Sequence, residues 1–380
     1  MKKYLWGLAV AGVAAVALAA CGSPPPETSP GSDGGGATGT ASQDPAKKDF
    51  KACMVSDSGG FDDKSFNQTS YKGLQDAVKA LGIEEGKAES QSDTDYPNNV
   101  NGMVTAKCNV IVTVGFKLGD QTALSATEHA DIKFGIVDYD INVTDTKKLG
   151  IPSIPTNVKG LLFNTAESSF LAGYLAAGMT QSGTVGTFGG LNIPTVSIFM
   201  DGFWEGVQHY NTTKSKTVKV VGWDEPTQKG LFTADFENKA KGQTTAQNLI
   251  SQGADIVFPV AGPAGLGALQ AAKASNGKVN AIWVDTDGCV SAPEYCSVLI
   301  SSVYKGMDIA VQDVITTSYE DKFDNTPYVG TLENEGTGLS PYHEFDSKVP
   351  AELKSEIDQL KQDIIGGKIT LKSKVQPKAS

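Results

Sequence analysis

Asp57, Asp62, Asp63, Phe61 and Phe66 crowd into one stretch, residues 56–73, which reads SDSGGFDDKSFNQTSYKG. Carboxylates accept hydrogen bonds from hydroxyls, and aromatic rings offer flat apolar faces. Together they suit a ligand with a polyol end and a planar end. The same residues could instead form a solvated loop whose acids cap a helix, with Gly59-Gly60 turning the chain. Signatures of catalysis are missing. His129, His209 and His343 lie far apart in sequence with no zinc-type spacing, and neither a G-x-S-x-G elbow nor a Walker lysine loop occurs. Gly262-Pro263-Ala264-Gly265-Leu266-Gly267 departs from G-x-G-x-x-G, so its glycines are expected to permit a sharp turn or the approach of backbone to a ligand. No enzyme activity, metal or cofactor is expected.

The elements that must hold these residues alternate regularly. An apolar strand over 51–55 precedes the acidic loop, and a helix over 67–81 follows it. A strand, a glycine-and-acid loop and a helix N-terminus form the place where an open α/β sheet puts its ligand. Further strands are expected at 87–93, 109–115 and 133–138, with helices at 98–107 and 120–129 between them. A second series begins after Asn164: helix 167–180, strand 184–188, helix 196–210, strand 217–221, helix 238–252, strand 255–260, helix 265–275 and strand 279–285. The chain then returns through a strand at 297–303, a helix at 307–318, an extended stretch at 326–332 and a charged helix at 352–365. The expected fold is α/β: two doubly wound parallel-sheet lobes joined by a hinge, with the ligand in the cleft. The first lobe is assigned residues 49–165 and 290–380, with return crossings near 330–345, and the second lobe residues 166–289.

An acid or an aromatic recurs at the carboxyl ends of these strands: Asp57, Gly115-Phe116, Asp138, Phe203 within Asp201-Gly202-Phe203-Trp204, and Asp285. Any one could be a helix cap or a surface charge. Their repetition along one edge of both sheets favours a ligand cleft.

The ends of the chain and its charge place the protein. Lys2-Lys3, an apolar run over 8–19 and Leu18-Ala19-Ala20-Cys21 make a leader too short to span a bilayer. It matches the lipobox of bacterial lipoproteins, which implies cleavage after residue 20 and lipid on Cys21. Residues 21–48, rich in Pro, Gly, Ser and Thr, are expected to be a flexible linker. The localisation expected is the cell membrane, lipid-anchored on the extracytoplasmic face. A net charge of −11 without a basic stripe argues against nucleic acid. Export permits disulfides. Cys53 and Cys108 each lie near the start of neighbouring strands, and Cys289 and Cys296 bracket a short turn, so the pairs Cys53–Cys108 and Cys289–Cys296 are expected; four buried free thiols are the alternative.

Several motifs together resemble one family. Asp57 to Gln68 (DSGGFDDKSFNQ), Phe163-Asn164-Thr165-Ala166-Glu167, Gly202-Phe203-Trp204-Glu205-Gly206-Val207, Val284-Asp285-Thr286-Asp287 and Ser301-Ser302-Val303-Tyr304-Lys305 are similar to the basic membrane protein family, the purine nucleoside receptor lipoproteins. The resemblance implies a type I periplasmic-binding-protein-like fold and a monomer that feeds a purine nucleoside to an ABC permease and its ATPase. It also implies that Phe66 and Phe203 sandwich the purine, that Asn67 and Asp138 bond the base edge, and that Asp57, Asp285 and Lys305 hold the ribose near the Gly262 backbone. Pro263, the rival position Asp140 and the Cys289–Cys296 insertion depart from the pattern. Two other readings keep the fold: a binding protein for a sugar or another small polar solute, and a surface sensor lipoprotein.

Overall fold

The structure, a computed structural model, describes residue 47 and residues 49–378. Cys21, the leader and, apart from Lys47 and residue 49 onward, the linker lie outside the described residues.

The first half runs β1 (Lys51–Ser56), α1 (Phe66–Leu81), β2 (Glu84–Glu89), α2 (Tyr96–Thr105), β3 (Val110–Val114), α3 (Gly119–Glu128), β4 (Lys133–Val137), α4 (Thr146–Leu149) and β5 (Val158–Phe163). The second begins with α5 (Thr165–Met179), β6 (Thr184–Gly189), α6 (Pro194–Lys214), β7 (Lys219–Val221) and the short β8 (Trp223–Asp224) and β9 (Lys229–Gly230). It continues through α7 (Lys239–Ser251), β10 (Ile256–Val260), α8 (Gly262–Ala274), β11 (Asn280–Asp285), α9 (Gly288–Ser291) and β12 (Leu299–Lys305). Then come α10 (Met307–Tyr319), β13 (Tyr328–Gly330), β14 (Thr337–Leu339) and α11 (Ala351–Ile365).

Two sheets result. The first has the order β2-β1-β3-β4-β5-β13 with every pairing parallel. The second has the order β7-β6-β10-β11-β12-β14, parallel except for β14, which runs antiparallel to β12. In each, the direction of winding reverses beside the first strand, between β1 and β3 and between β6 and β10. Central strands such as VIVTV and IVFPV are buried along their whole length, as a sheet covered on both faces requires. Apolar clusters on both faces of each sheet supply the cores. The doubly wound, two-lobed α/β architecture is the one read from the sequence.

Two differences from expectation bear on how the sheets are built. Strand β5, VKGLLF, was not anticipated; Lys159 and Gly160 interrupt its apolar run, and Lys159 is accommodated by pairing with Asp324. The assignment of 290–380 to the first lobe is also corrected. Strand β12 pairs along its length with β11 and at Val303–Lys305 with β14, both in the second sheet, and α11 packs its apolar stripe (Leu353, Ile357, Leu360, Ile364) into the second lobe's core. Only α10, which packs on α1, and β13 return to the first lobe. A strand as apolar as LISSVYK needs a neighbour on each side, and the second sheet offers both. The chain thus crosses between lobes at Asn164, at Gly306 and between Gly330 and Thr337.

Cys53 is bonded to Cys108 and Cys289 to Cys296, with Cα atoms 5.9 and 4.6 Å apart. The first bond closes the larger loop, 55 residues against 7. On chain entropy, replacing Cys53 and Cys108 by serine should cost about 4 kcal/mol, and replacing the other pair about 2.5 kcal/mol. Urea unfolding of the two double variants checks this, and a larger loss for the 289–296 pair would contradict it.

Candidate functional site

Both reversal points open onto one cavity enclosing about 590 Å³, part of it open to solvent, with walls from both lobes. The first lobe contributes the loop after β1 (Asp57, Ser58, Asp63), the start of α1 (Phe66, Asn67), Gly115-Phe116 after β3 and Asp138 after β4. The second contributes the start of α6, Phe236, Gly262-Pro263 at the start of α8, Asp285 after β11 and Lys305 at the end of β12. Of the residues expected to bind ligand, Asp57, Phe66, Asn67, Asp138, Gly262, Asp285 and Lys305 all line the cavity.

Phe203 does not. It is fully buried and stacks on Phe258 at 5.1 Å within the second lobe's core. The α5–α6 crossing locks it there: a Cβ on Gly173 would lie 2.0 Å from the Phe203 carbonyl oxygen. Phe199, one turn nearer the mouth of α6, reaches the cavity instead, and one helical turn is a displacement of about 5.4 Å along the axis. Phe236 joins it from the loop before α7. No motif marked either position, although Phe199 shares a helix and a four-residue spacing with Phe203. Asp138 lines the cavity and Asp140 does not. Asp140 turns away to accept hydrogen bonds from the backbone and side-chain amides of Asn142, each at 3.0 Å.

The opening loop divides its labour. Asp63 caps α1, accepting from the backbone N–H groups of Ser65, Asn67 and Gln68 at 2.9–3.0 Å. Asp62 is exposed and pairs with Lys64. Phe61 is buried against Tyr71. Asp57 accepts from Asn67 Nδ2 at 3.0 Å, and its backbone N–H donates to the Val114 carbonyl at 3.1 Å. Gly115 lets it sit there: the residue has φ +111°, and a Cβ would fall 2.2 Å from Asp57 Oδ2. Asn67 is 1% exposed, and its buried Oδ1 has no hydrogen-bond partner among the described residues.

Lys305 sits at the centre. Its Nζ donates to Asp138 Oδ2 at 2.6 Å and lies 3.4 Å from Asp285 Oδ1. It also stands 4.7 Å from the Phe66 ring centroid and 5.4 Å from that of Phe199. Asp138 and Asp285 are the corresponding strand-end acids of the two sheets, and both adopt left-handed backbone, φ +62° and +67°. Such strain concentrates at binding sites. Two further bonds join the lobes: Ser65 Oγ donates to Asp285 Oδ2 at 2.9 Å, and Trp283 Nε1 to the Lys64 carbonyl at 3.3 Å.

Burial dominates the electrostatics. It raises Asp57 to about 7, only partly offset by the Asn67 hydrogen bond. It raises Asp63 to about 6 despite three backbone donors. Asp138 is likewise raised by burial, with Lys305 pulling it back. Burial pulls Lys305 down, but the Asp138 and Asp285 carboxylates outweigh it and hold the ammonium above its ordinary range. The cavity is therefore acidic around one fixed cation, with aromatic faces on two sides. It can take hydroxyl and amide donors and a planar apolar group, and no nucleophile–base pair is assembled in it.

Two α/β lobes closing on such a cavity define a two-lobed solute-binding protein. The chain belongs to the PnrA-like family of ABC transporter substrate-binding proteins, whose profile matches residues 50–374. It is 31% identical over 394 residues to the CD4+ T-cell-stimulating antigen of Listeria innocua, covering 98% of this chain and 100% of the relative. It is 29% identical to the ABC transporter nucleoside-binding protein BmpA of Lactococcus lactis, with 98% and 100% covered. Among solved structures, an ABC transporter solute-binding protein of Aeropyrum pernix superposes with a TM-score of 0.74 at 23% identity, covering 85% of this chain and 93% of that one, a likeness of fold. The family implies a small solute as ligand, with a permease and an ATPase as partners.

Phe203→Ala should lower the stability of the protein by about 3–5 kcal/mol, as loss of a buried ring does. Urea unfolding measures it. A change under ~1 kcal/mol would show that the ring is not packed as described.

Proposed function

We propose that the protein is a lipid-anchored, monomeric receptor that captures a purine nucleoside between its lobes and delivers it to an ABC importer. The observation that carries this reading is the pairing of aromatic faces with strand-end carboxylates in one cavity between the lobes. Phe66 stacks on the purine from the first lobe. Phe236, half-buried with its ring on the cavity, stacks from the second, and Phe199 forms the floor. Asn67 and Asp138 bond the base edge. Asp57, Asp285 and Lys305 hold the ribose hydroxyls near the Gly262 backbone. Stacking is worth about 1–3 kcal/mol per base, and a hydroxyl bonded to a carboxylate is charge-assisted. The name of the Lactococcus relative supports the ligand class. The anchor is Cys21, in keeping with the finding that no helix among the described residues is long and apolar enough to cross a membrane.

Calorimetry tests the reading. Nucleosides should bind and simple sugars should not, and Phe66→Ala or Phe236→Ala should weaken binding by more than about tenfold. Sugar binding without nucleoside binding would overturn the proposal.

The affinity should also depend on pH through Asp57, whose carboxyl titrates at about 7 in the free protein. A ribose hydroxyl donating to Asp57 favours the ionised form, so binding below that pH releases a proton. Affinity should therefore be full above about pH 7 and fall as the pH drops below it. Asp57→Asn should flatten this dependence. Asp63 ionises in the same range, but its oxygens are occupied by the α1 backbone. An affinity that rises on acidification would contradict the assignment.

A further inference from the structure

Two buried carboxylates on α6 take no part in the ligand cavity. Asp201 accepts from Trp223 Nε1 at 3.0 Å, from Gln228 Nε2 at 2.8 Å and from Ser373 Oγ at 2.7 Å. Glu205, one turn further on, accepts from the backbone N–H groups of Lys372 and Ser373 at 2.9–3.0 Å. Gln376 folds back to donate to the Leu371 and Ser373 carbonyls, and its Oε1 accepts from Asn164 Nδ2 at 3.2 Å. Asn164 is the residue at which the chain first crosses between lobes. Residues 371–377 therefore form a strap, pinned by α6 at one end and tied to the hinge at the other.

Beneath the end of the strap lies a second, smaller cavity, part of it open to solvent. Val375 and Pro377 of the strap line it together with Phe163 and Ile198. Asp138, Thr195 and Lys305 line this cavity and the ligand cavity alike, so they form the partition between the two. Thr165, 1% exposed, also lines it, and its Oγ1 has no partner among the described residues. The Lys305–Asp138 pair thus has a cavity on each side. On the ligand side the lobes close over it; on the hinge side the strap does.

We infer that the strap is the wall that keeps solvent from the Lys305–Asp138 pair on the hinge side, so that Asp201 and Glu205 are positioning residues for ligand capture, acting through residues 371–377. The inference rests on the pair belonging to the binding cavity. Lys305 and Asp138 come from opposite sheets, so their attraction holds the lobes closed. That attraction strengthens severalfold as water is excluded, and mobile ions then screen it little. Opening the hinge-side cavity hydrates the pair, weakens closure and lets ligand escape sooner. Encounter with ligand takes place from the cleft and is left unchanged.

Full-length Asp201→Asn/Glu205→Ala tests this, with the milder Val375→Ser/Pro377→Gly in case the first variant fails to fold. In ligand-free protein, acetylation of Lys305 by acetic anhydride, followed by mass spectrometry, should be at least about fivefold faster in the strap variants than in the parent. With adenosine or guanosine as probe, dissociation should be about tenfold faster at high salt, and its rate should become dependent on salt between about 20 and 300 mM, while association changes little. An unchanged rate of Lys305 labelling overturns the inference, as does faster dissociation that is indifferent to salt and follows only the loss of melting temperature. A parent protein that binds no nucleoside removes the proposed ligand instead, and the labelling result still decides the strap.

Discussion

A lysine buried between two carboxylates organises this molecule. Lys305 ends a strand of the second sheet and reaches Asp138 at the end of a strand of the first, with Asp285 beside it. An ammonium taken out of water costs several kcal/mol unless it is closely paired, so its burial is tolerable only where both acids converge on it. That convergence requires the lobes to be closed. The same cation lies against Phe66 and Phe199, which belong to different lobes, so the charged centre also brings the aromatic walls to one chamber.

Closure is reinforced by contacts that are short in reach and few in kind. Ser65 bonds Asp285 and Trp283 bonds the Lys64 carbonyl, all close to the same centre. The strand-end acids Asp138 and Asp285 hold left-handed backbone, a conformation that non-glycine residues rarely adopt and that the surrounding sheet must enforce. The site is thus shared between the two lobes. A ligand that bridges both walls can therefore shift the balance toward the closed form by the difference in its contacts with the two states.

Carboxylates of one loop behave differently because their surroundings differ. Asp63 is spent on the backbone of α1, Asp62 faces water beside Lys64, and Asp57 is half-buried with a single side-chain donor. Of the three, Asp57 alone is half-buried on the cavity wall with acceptor capacity left over. Burial is the largest influence on both Asp57 and Asp63, which is why even a carboxylate with three amide donors titrates above its ordinary range.

Much of this was legible in the chain itself. Alternating apolar strands and helical patterns specify a parallel sheet, because both faces must be covered and each crossover needs a helix. The repetition of acids at strand ends located Asp57, Asp138 and Asp285, since strand ends of a doubly wound sheet share one edge. Depth and partnership were not legible. Whether Phe199 or Phe203 reaches the cavity depends on where α6 crosses α5, a matter of backbone contact at Gly173 that no local pattern encodes. Phe236 reaches the site from a loop whose path is set by its packing against the start of α8, where the Ala264 N–H donates to the Phe236 carbonyl. The placement of β12 and β14 in the second sheet likewise followed from long-range pairing. Composition and periodicity by themselves determined the class of fold and the edge where chemistry gathers, because both arise from local geometry. Which side chains meet there only the tertiary structure decided, because that depends on how two separately wound sheets are brought face to face.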